Sequence, residues 1–279
     1  MKIINAGKIT KVVADLCIKA NCFLRPDVLA KIKSACKKET QKKPKKALEL
    51  IIKNAKIAAS EKIAICQDTG LPIVFIEIGQ DVKIAGDLKK AIEAGILQGY
   101  KSGNFRESIV RDPLMRSRPS YRGAVIHTEI VKGSRIKVTL MPKGFGCENK
   151  SFLKMFLPTA GVKEIKEFVI ESVKSAGPDA CPPYVVGVGI GGGAEYASLL
   201  AKKALLKRGL SPREASGIVT DLERDLLNRI NKLKIGPMGL GGKFTCLSVN
   251  IETYPTHIAG LPVAVNISCH ALRSATKIL

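Results

Sequence analysis

Eight cysteines, at 17, 22, 36, 66, 147, 181, 246 and 269, offer the strongest chemistry in this chain. Cys17, Cys22 and Cys36 fall in stretches of helical apolar spacing and Cys246 in an apolar run, which suits a small buried side chain. Three others stand where regular structure breaks: Cys66 in Ile65-Cys66-Gln67-Asp68-Thr69-Gly70, Cys181 in Ala180-Cys181-Pro182-Pro183, and Cys269 in Ser268-Cys269-His270. A proline after a cysteine is common where a thiolate ligand is held off regular structure. These flanks leave metal binding and buried hydrophobic use both open. Cys147, in a glycine-containing turn, is the main competitor for a ligand place. No CxxC pair occurs, which argues against a zinc ribbon or a thioredoxin-type site.

A literal GxGxxG at Gly187, Gly189 and Gly192 lies between a strand-like run and a helix-like one, the context of a dinucleotide fingerprint. No acidic residue closes a second strand about 20 residues on, so the match is weak. A backbone packed closely against a cofactor or substrate carboxylate at a helix N-terminus explains the glycines as well.

The elements that must position these groups are legible in outline. Asp27–Lys33 and Lys45–Ala59 have helical spacing, with Pro44 near a first turn. Beyond Gly70 the texture changes to β-branched runs at 71–78, 124–131 and 135–141, read as strands, with a helix at 88–99 between them. A helix at 162–175, a buried strand at 184–190 and a helix at 194–208 follow, and Ser211, Pro212 and Glu214 mark the start of one more. The expected fold class is α/β: one mixed α+β sheet domain over 1–279, with a helical N-terminal layer over about 1–60 and a mixed α/β catalytic part over about 61–279. No internal repeat is visible.

With 279 residues and 46% hydrophobic content, the chain can bury a real core, and disorder or a disulfide mini-protein is excluded. No run approaches the roughly 20 apolar residues of a membrane span, and the opening residues lack a leader, so a cytoplasmic protein without a membrane partner is expected. In the cytosol, eight thiols do not imply a disulfide framework. Lys and Arg number 46 against 24 Asp and Glu, a formal +22 that favours an anionic partner. Nucleic acid is not that expected partner: aromatics are 5%, Trp is absent, and no zinc-finger, RNP-like or basic-zipper pattern occurs. A basic nucleic-acid-binding protein stays as a remote alternative.

Six segments, ICQDTG (65–70), NFRESIVRDPL (104–114), GCENKS (146–151), ACPPYVVGVGIGGGAE (180–195), KIGPMGLGGKFT (234–245) and THIAGLPVAVNISCHALR (256–273), together resemble the α subunit of the two-subunit class I fumarate hydratases and L-tartrate dehydratases. The resemblance runs in order through essentially the whole chain. It implies a 4Fe-4S cluster held by Cys66, Cys181 and Cys269, with one iron lacking a protein ligand. It further implies that Arg106 grips a carboxylate of a C4 dicarboxylate substrate and that Gln67 lies near it. Asp68 and His257 are implied as catalytic groups, and backbone donors around Gly144 and Gly146 as substrate contacts. His127 and His270 receive no role, and the Cys147 loop matches a substrate-binding segment rather than a ligand position. The implied reaction is reversible hydration of fumarate to (S)-malate, with tartrate dehydration as the alternative. The chain is expected to be complete only with a β subunit, in a hetero-oligomer.

Overall fold

The computed structural model describes residues 2–207 and 217–279. In chain order, the elements are β1 (Lys2–Asn5), α1 (Ala6–Cys22), α2 (Pro26–Lys38), α3 (Lys42–Glu61), β2 (Leu71–Gly79), β3 (Val82–Ala85), α4 (Leu88–Ser102), β4 (Val125–Val131) and β5 (Ile136–Lys143). There follow α5 (Phe145–Glu148), β6 (Phe152–Phe156), α6 (Val162–Ala176), β7 (Tyr184–Gly192), α7 (Ala194–Leu206), α8 (Ile218–Asn231), a 3-10 turn (Pro237–Gly239), β8 (Cys246–Thr256), β9 (Leu261–Ser268) and β10 (Ala275–Ile278). The fold is α/β, as expected. The expected helix start at Ser211 and Pro212 lies outside the described residues. Among those described, no helix is long and apolar enough to cross a membrane.

The chain forms two compact units. The first comprises Met1–Arg25, Asn54–Phe145 and Arg273–Leu279; the second comprises Pro26–Lys53 and Gly146–Leu272.

In the first unit the β-branched runs at 71–79, 125–131 and 136–143 make three strands of a sheet ordered β10-β5-β2-β4. β2 and β4 are parallel, and β5 is antiparallel to both β2 and β10. Alternate residues Val74, Ile76, Val138 and Leu140 face Ile9, Val13 and Leu16 of α1 and Ile92 and Ile96 of α4, which forms the core. Both helices start on side-chain caps. Asn5 accepts from the Gly7 N–H at 2.7 Å, and Asp87 accepts from the Lys90 N–H at 3.0 Å.

The second unit has its own sheet, ordered β6-β9-β7-β8, with β7 and β8 parallel and β9 antiparallel to β6 and β7. Val186, Val188, Val249 and Val265 meet Val169 and Val173 of α6 and Leu226 and Ile230 of α8 in its core. α7 lies on β7 at van der Waals limits: a Cβ at Gly187 would stand 2.1 Å from the Ala201 carbonyl, and one at Gly189 2.0 Å from that of Ala197. The glycine run is therefore a packing surface for a helix, which accounts for it without a nucleotide.

The two sheets share one connectivity. β2-α4-β4-β5 gives the spatial order β4-β2-β5, and β7-α7-α8-β8-β9 gives β8-β7-β9, each with a parallel pair and an antiparallel return strand. This repeat of topology has no counterpart in the amino-acid sequence. Its consequence is that the loop entering β2 and the loop entering β7 occupy equivalent corners, each beside the exit of a return strand.

Candidate active site

In the first unit the Cys66–Gly70 loop is pinned from several directions. The Ile65 N–H donates to the Asn21 carbonyl at 3.0 Å, and Asn54 Nδ2 donates to the Ile65 carbonyl at 2.9 Å. Immediately after these anchors Cys66 is exposed. Asp68 Oδ1 accepts from the Gly70 N–H at 2.9 Å, and Oδ2 accepts from the Phe145 N–H at 2.7 Å. Each carboxylate oxygen keeps a lone pair for a further donor. Gly144 is what makes room for this: a Cβ there would lie 3.1 Å from Asp68 Oδ2. Gly70 has φ +76, and a Cβ would stand 2.8 Å from the Lys143 nitrogen. Only glycine suits a left-handed turn against a neighbouring strand.

The same corner holds Arg106. Thr69, 1% exposed, donates its hydroxyl to the Arg106 carbonyl at 3.1 Å, while the buried Tyr100 hydroxyl donates to the Thr69 carbonyl at 2.9 Å. Phe105, edge-on to Tyr100, anchors the residue before Arg106 in the core. Arg106 itself stays exposed. Cys66, Gln67, Asp68, Arg106 and Gly144 are thus gathered at the start of β2, from three separate parts of the chain.

The second unit gathers Cys181 and Cys269 in the equivalent place. Cys181 precedes β7 in a left-handed conformation (φ 56), followed by the cis Pro182–Pro183 bond, and Cys269 directly follows β9. The pairing of Val185 with Ser268 sets the entrance of β7 against the exit of β9. His270 then closes the corner: its backbone N–H and ring Nδ1 approach the Cys181 carbonyl at 3.3 and 3.1 Å. Cys181 and Cys269 are both half-buried.

The remaining cysteines separate by burial. Cys17, Cys22 and Cys246 are inside, and burial raises their thiols, Cys246 to about 12. Cys147 is a core residue of the second unit. Cys36 is half-buried, with its thiol also raised by desolvation. A raised thiol withholds the thiolate that a metal needs.

His257 is not brought to this corner. It sits exposed in the turn from β8 to β9, its Nδ1 accepting from the Ala259 N–H at 3.1 Å, with the adjacent Thr256 hydroxyl on the Gly192 carbonyl. β9 separates it from Cys269, and eight extended residues place the two roughly 25 Å apart. Gly146 has open space where a Cβ would stand, so no packing demands glycine there. His127 stacks on Phe75 at 5.1 Å. Within either unit, no three described His, Cys, Asp or Glu side chains form a metal-binding group.

One positioning residue, the last of the 256–273 segment, carries no expected role in the sequence. Arg273, 3% exposed, donates from Nη2 to the Asp68 carbonyl at 2.8 Å and from Nη1 to Asn21 Oδ1 at 3.0 Å. A signal for it exists all the same: an arginine at the end of an otherwise apolar run has to be paired if it is buried.

Residues 10–277 match the fumarate hydratase (Fumerase) family. A Methanocaldococcus jannaschii protein named "Putative L(+)-tartrate dehydratase subunit alpha" is 40% identical over 278 residues, covering 97% of each chain. The Escherichia coli K12 protein named "L(+)-tartrate dehydratase subunit alpha" is 28% identical over 277 residues, covering 98% of this chain and 91% of its own. With the match running through both units and across every candidate loop, the chain belongs to the fumarate hydratase family of hydro-lyases.

Proposed function

We propose that this chain is the α subunit of a class I hydro-lyase that interconverts fumarate and (S)-malate, working with a β subunit. What supports the reading most is that the family match is joined to two corners of equivalent topology, one carrying Cys66, Asp68 and Arg106 and the other Cys181 and Cys269. Cys66, Cys181 and Cys269 are the proposed ligands of a 4Fe-4S cluster, and the donor set fits: Cys66 is exposed, Cys181 and Cys269 are half-buried, and thiolates are the soft ligands that iron-sulfur clusters take. When bound, such a cluster with three thiolates supplies an open iron as a Lewis acid.

The reaction removes a proton from the carbon beside one carboxylate and hydroxide from its neighbour. Arg106 offers a planar fork to a substrate carboxylate, and its backbone is fixed by Thr69, so the grip is preorganised. Asp68, held by two backbone amides, accepts a hydrogen bond from the substrate hydroxyl. Gln67 and the backbone at Gly144 and Gly146 orient the dicarboxylate. The base for the other face comes from the β subunit. The +22 charge draws in a dianion.

L-tartrate is the second reading, favoured by the names of the relatives above. Tartrate adds one hydroxyl to malate, and strong discrimination needs a group that pairs with it. The test is turnover of fumarate, (S)-malate and L-tartrate by anaerobically reconstituted chain, alone and with the β chain. Activity on mixing supports the proposal, and the preferred substrate decides between the readings. Cys66→Ser, Cys181→Ser and Cys269→Ser should each lower bound iron and sulfide. Robust turnover by the isolated chain, or loss of iron in Cys147→Ser but not in Cys269→Ser, would overturn it.

A further inference from the structure

β4 reads Val125-Ile126-His127-Thr128-Glu129-Ile130-Val131, the same in both directions except that a base and an acid exchange places about Thr128. It is an end strand of the first unit's sheet, paired with β2 over all seven residues without a register shift. Among the described residues no strand lies on its other side. The usual protections of such an edge are absent within it: it has no proline, no lysine and no bulge. It is also unusually apolar for its exposure, with Ile130 76% and Val125 38% exposed.

We propose that β4 is the contact between two copies of this chain, joined antiparallel about a two-fold axis through Thr128 into one continuous sheet. A two-fold interface must be self-complementary, with residue i meeting j and j meeting i. Here every cross-strand pair satisfies that condition. Val125 meets Val131, Ile126 meets Ile130, Thr128 meets Thr128, and His127 meets Glu129 twice, once on each side of the axis. Residues opposite one another across an antiparallel pair share a face, and all of these pairs have matching parity. Ile126 packs at the margin of the first unit's core, so the exposed Ile130 of one copy extends the core of the other.

This register alone sets His127 against Glu129. Moving the axis by one residue in one direction pairs Glu129 with Glu129, and in the other pairs His127 with His127, setting like groups together where opposite ones now meet. A pairing of this length adds roughly six to eight backbone hydrogen bonds. No substrate contact is involved, so the inference stands whether or not the catalytic reading holds.

The experiment is sedimentation velocity and native mass spectrometry of the chain purified with its partner chain, counting copies of this chain per particle. Two copies are expected. Ile130→Lys puts a charge at an already exposed position and should weaken the pairing about tenfold or more, shifting particles to one copy. His127→Glu faces Glu129 of the other copy and should also dissociate it, whereas His127→Glu with Glu129→Lys restores opposite charges and should recover the pair. Thr128→Cys should form a disulfide between identical peptides under mild oxidation, located by mass spectrometry. One copy per particle in the wild type, two copies unaffected by Ile130→Lys, or a disulfide in the Thr128→Cys variant that joins only to the partner chain would each overturn the proposal.

Discussion

The buried guanidinium of Arg273 makes a sharp quantitative test of how the Asp68 loop is held. Two of its donors are used, one on the Asp68 carbonyl and one on Asn21 Oδ1, while its Nε has no partner. A hydrogen bond to a charged group contributes about 1.5–3 kcal/mol, so removing both with Arg273→Met should cost about 3–6 kcal/mol of stability. Arg273→Lys keeps the charge but reaches one acceptor, and orphaning the other should cost about 1–3 kcal/mol. Asn21→Ala removes one of the two bonds and also the bond that Asn21 Nδ2 donates to the Cys17 carbonyl at 3.1 Å, so it should cost more than half of the Met value. Because Asn21 and Arg273 are direct partners, Asn21→Ala in the Arg273→Met background should cost only its bond to Cys17, so the double variant should be less destabilised than the sum of the two by about the shared bond. Urea unfolding of the apo chain, with all four proteins at one pH, gives the cycle. Since Arg273 also fixes the carbonyl of a proposed catalytic residue, Arg273→Lys should lower kcat/KM in the assembled enzyme. A cost below about 1 kcal/mol for Arg273→Met, or strict additivity with Asn21→Ala, would refute the reasoning.

Further outcomes are expected at other positions. Arg106→Lys, which loses the planar fork, should cost at least about tenfold in kcat/KM with stability unchanged, and wild-type kinetics would remove Arg106 from the site. In the native apo chain at pH 8, iodoacetamide should label exposed Cys66 well before Cys17 and Cys246, as read by peptide mass spectrometry. The raised thiols also set a pH trend. Above the unfolded value near 9.0 the unfolded chain releases protons that the folded thiols keep, so their stability contribution falls as pH rises from about 9 toward about 12. Cys246→Ala should therefore lose less stability than wild type between pH 9 and 11, by up to about 1.4 kcal/mol per pH unit, in parallel urea titrations. Gly70→Ala should destabilise by more than about 1 kcal/mol, since it combines a left-handed φ with a Cβ 2.8 Å from the neighbouring strand; an unchanged urea midpoint would contradict that.

Sequence alone determined which residues could carry chemistry and much of the local structure. β-branched runs and caps mark strands at 71–79, 125–131, 136–143 and 184–192 and helices at 88–102 and 162–176 close to where they form, because these signals are short-range: side-chain alternation, helical spacing, a capping oxygen. The flanks of Cys66, Cys181 and Cys269 separate them from the core cysteines for the same reason, since polar, proline or glycine neighbours stop a buried run. Other features are set by partners distant in the chain. The glycines of 187–193 look like a phosphate loop until α7 is seen lying on them. β6, β8, β9 and β10 do not stand out in the sequence, as each takes its identity from the strand beside it. Only the sheet registers bring Cys181 to Cys269 and Arg273 to Asp68, only the Tyr100 and Phe105 anchors bring Arg106 to Thr69, and only β9, standing between them, parts His257 from Cys269. Residue type fixes what a side chain can do, but hydrogen-bond pairing across the fold decides which side chains can act together.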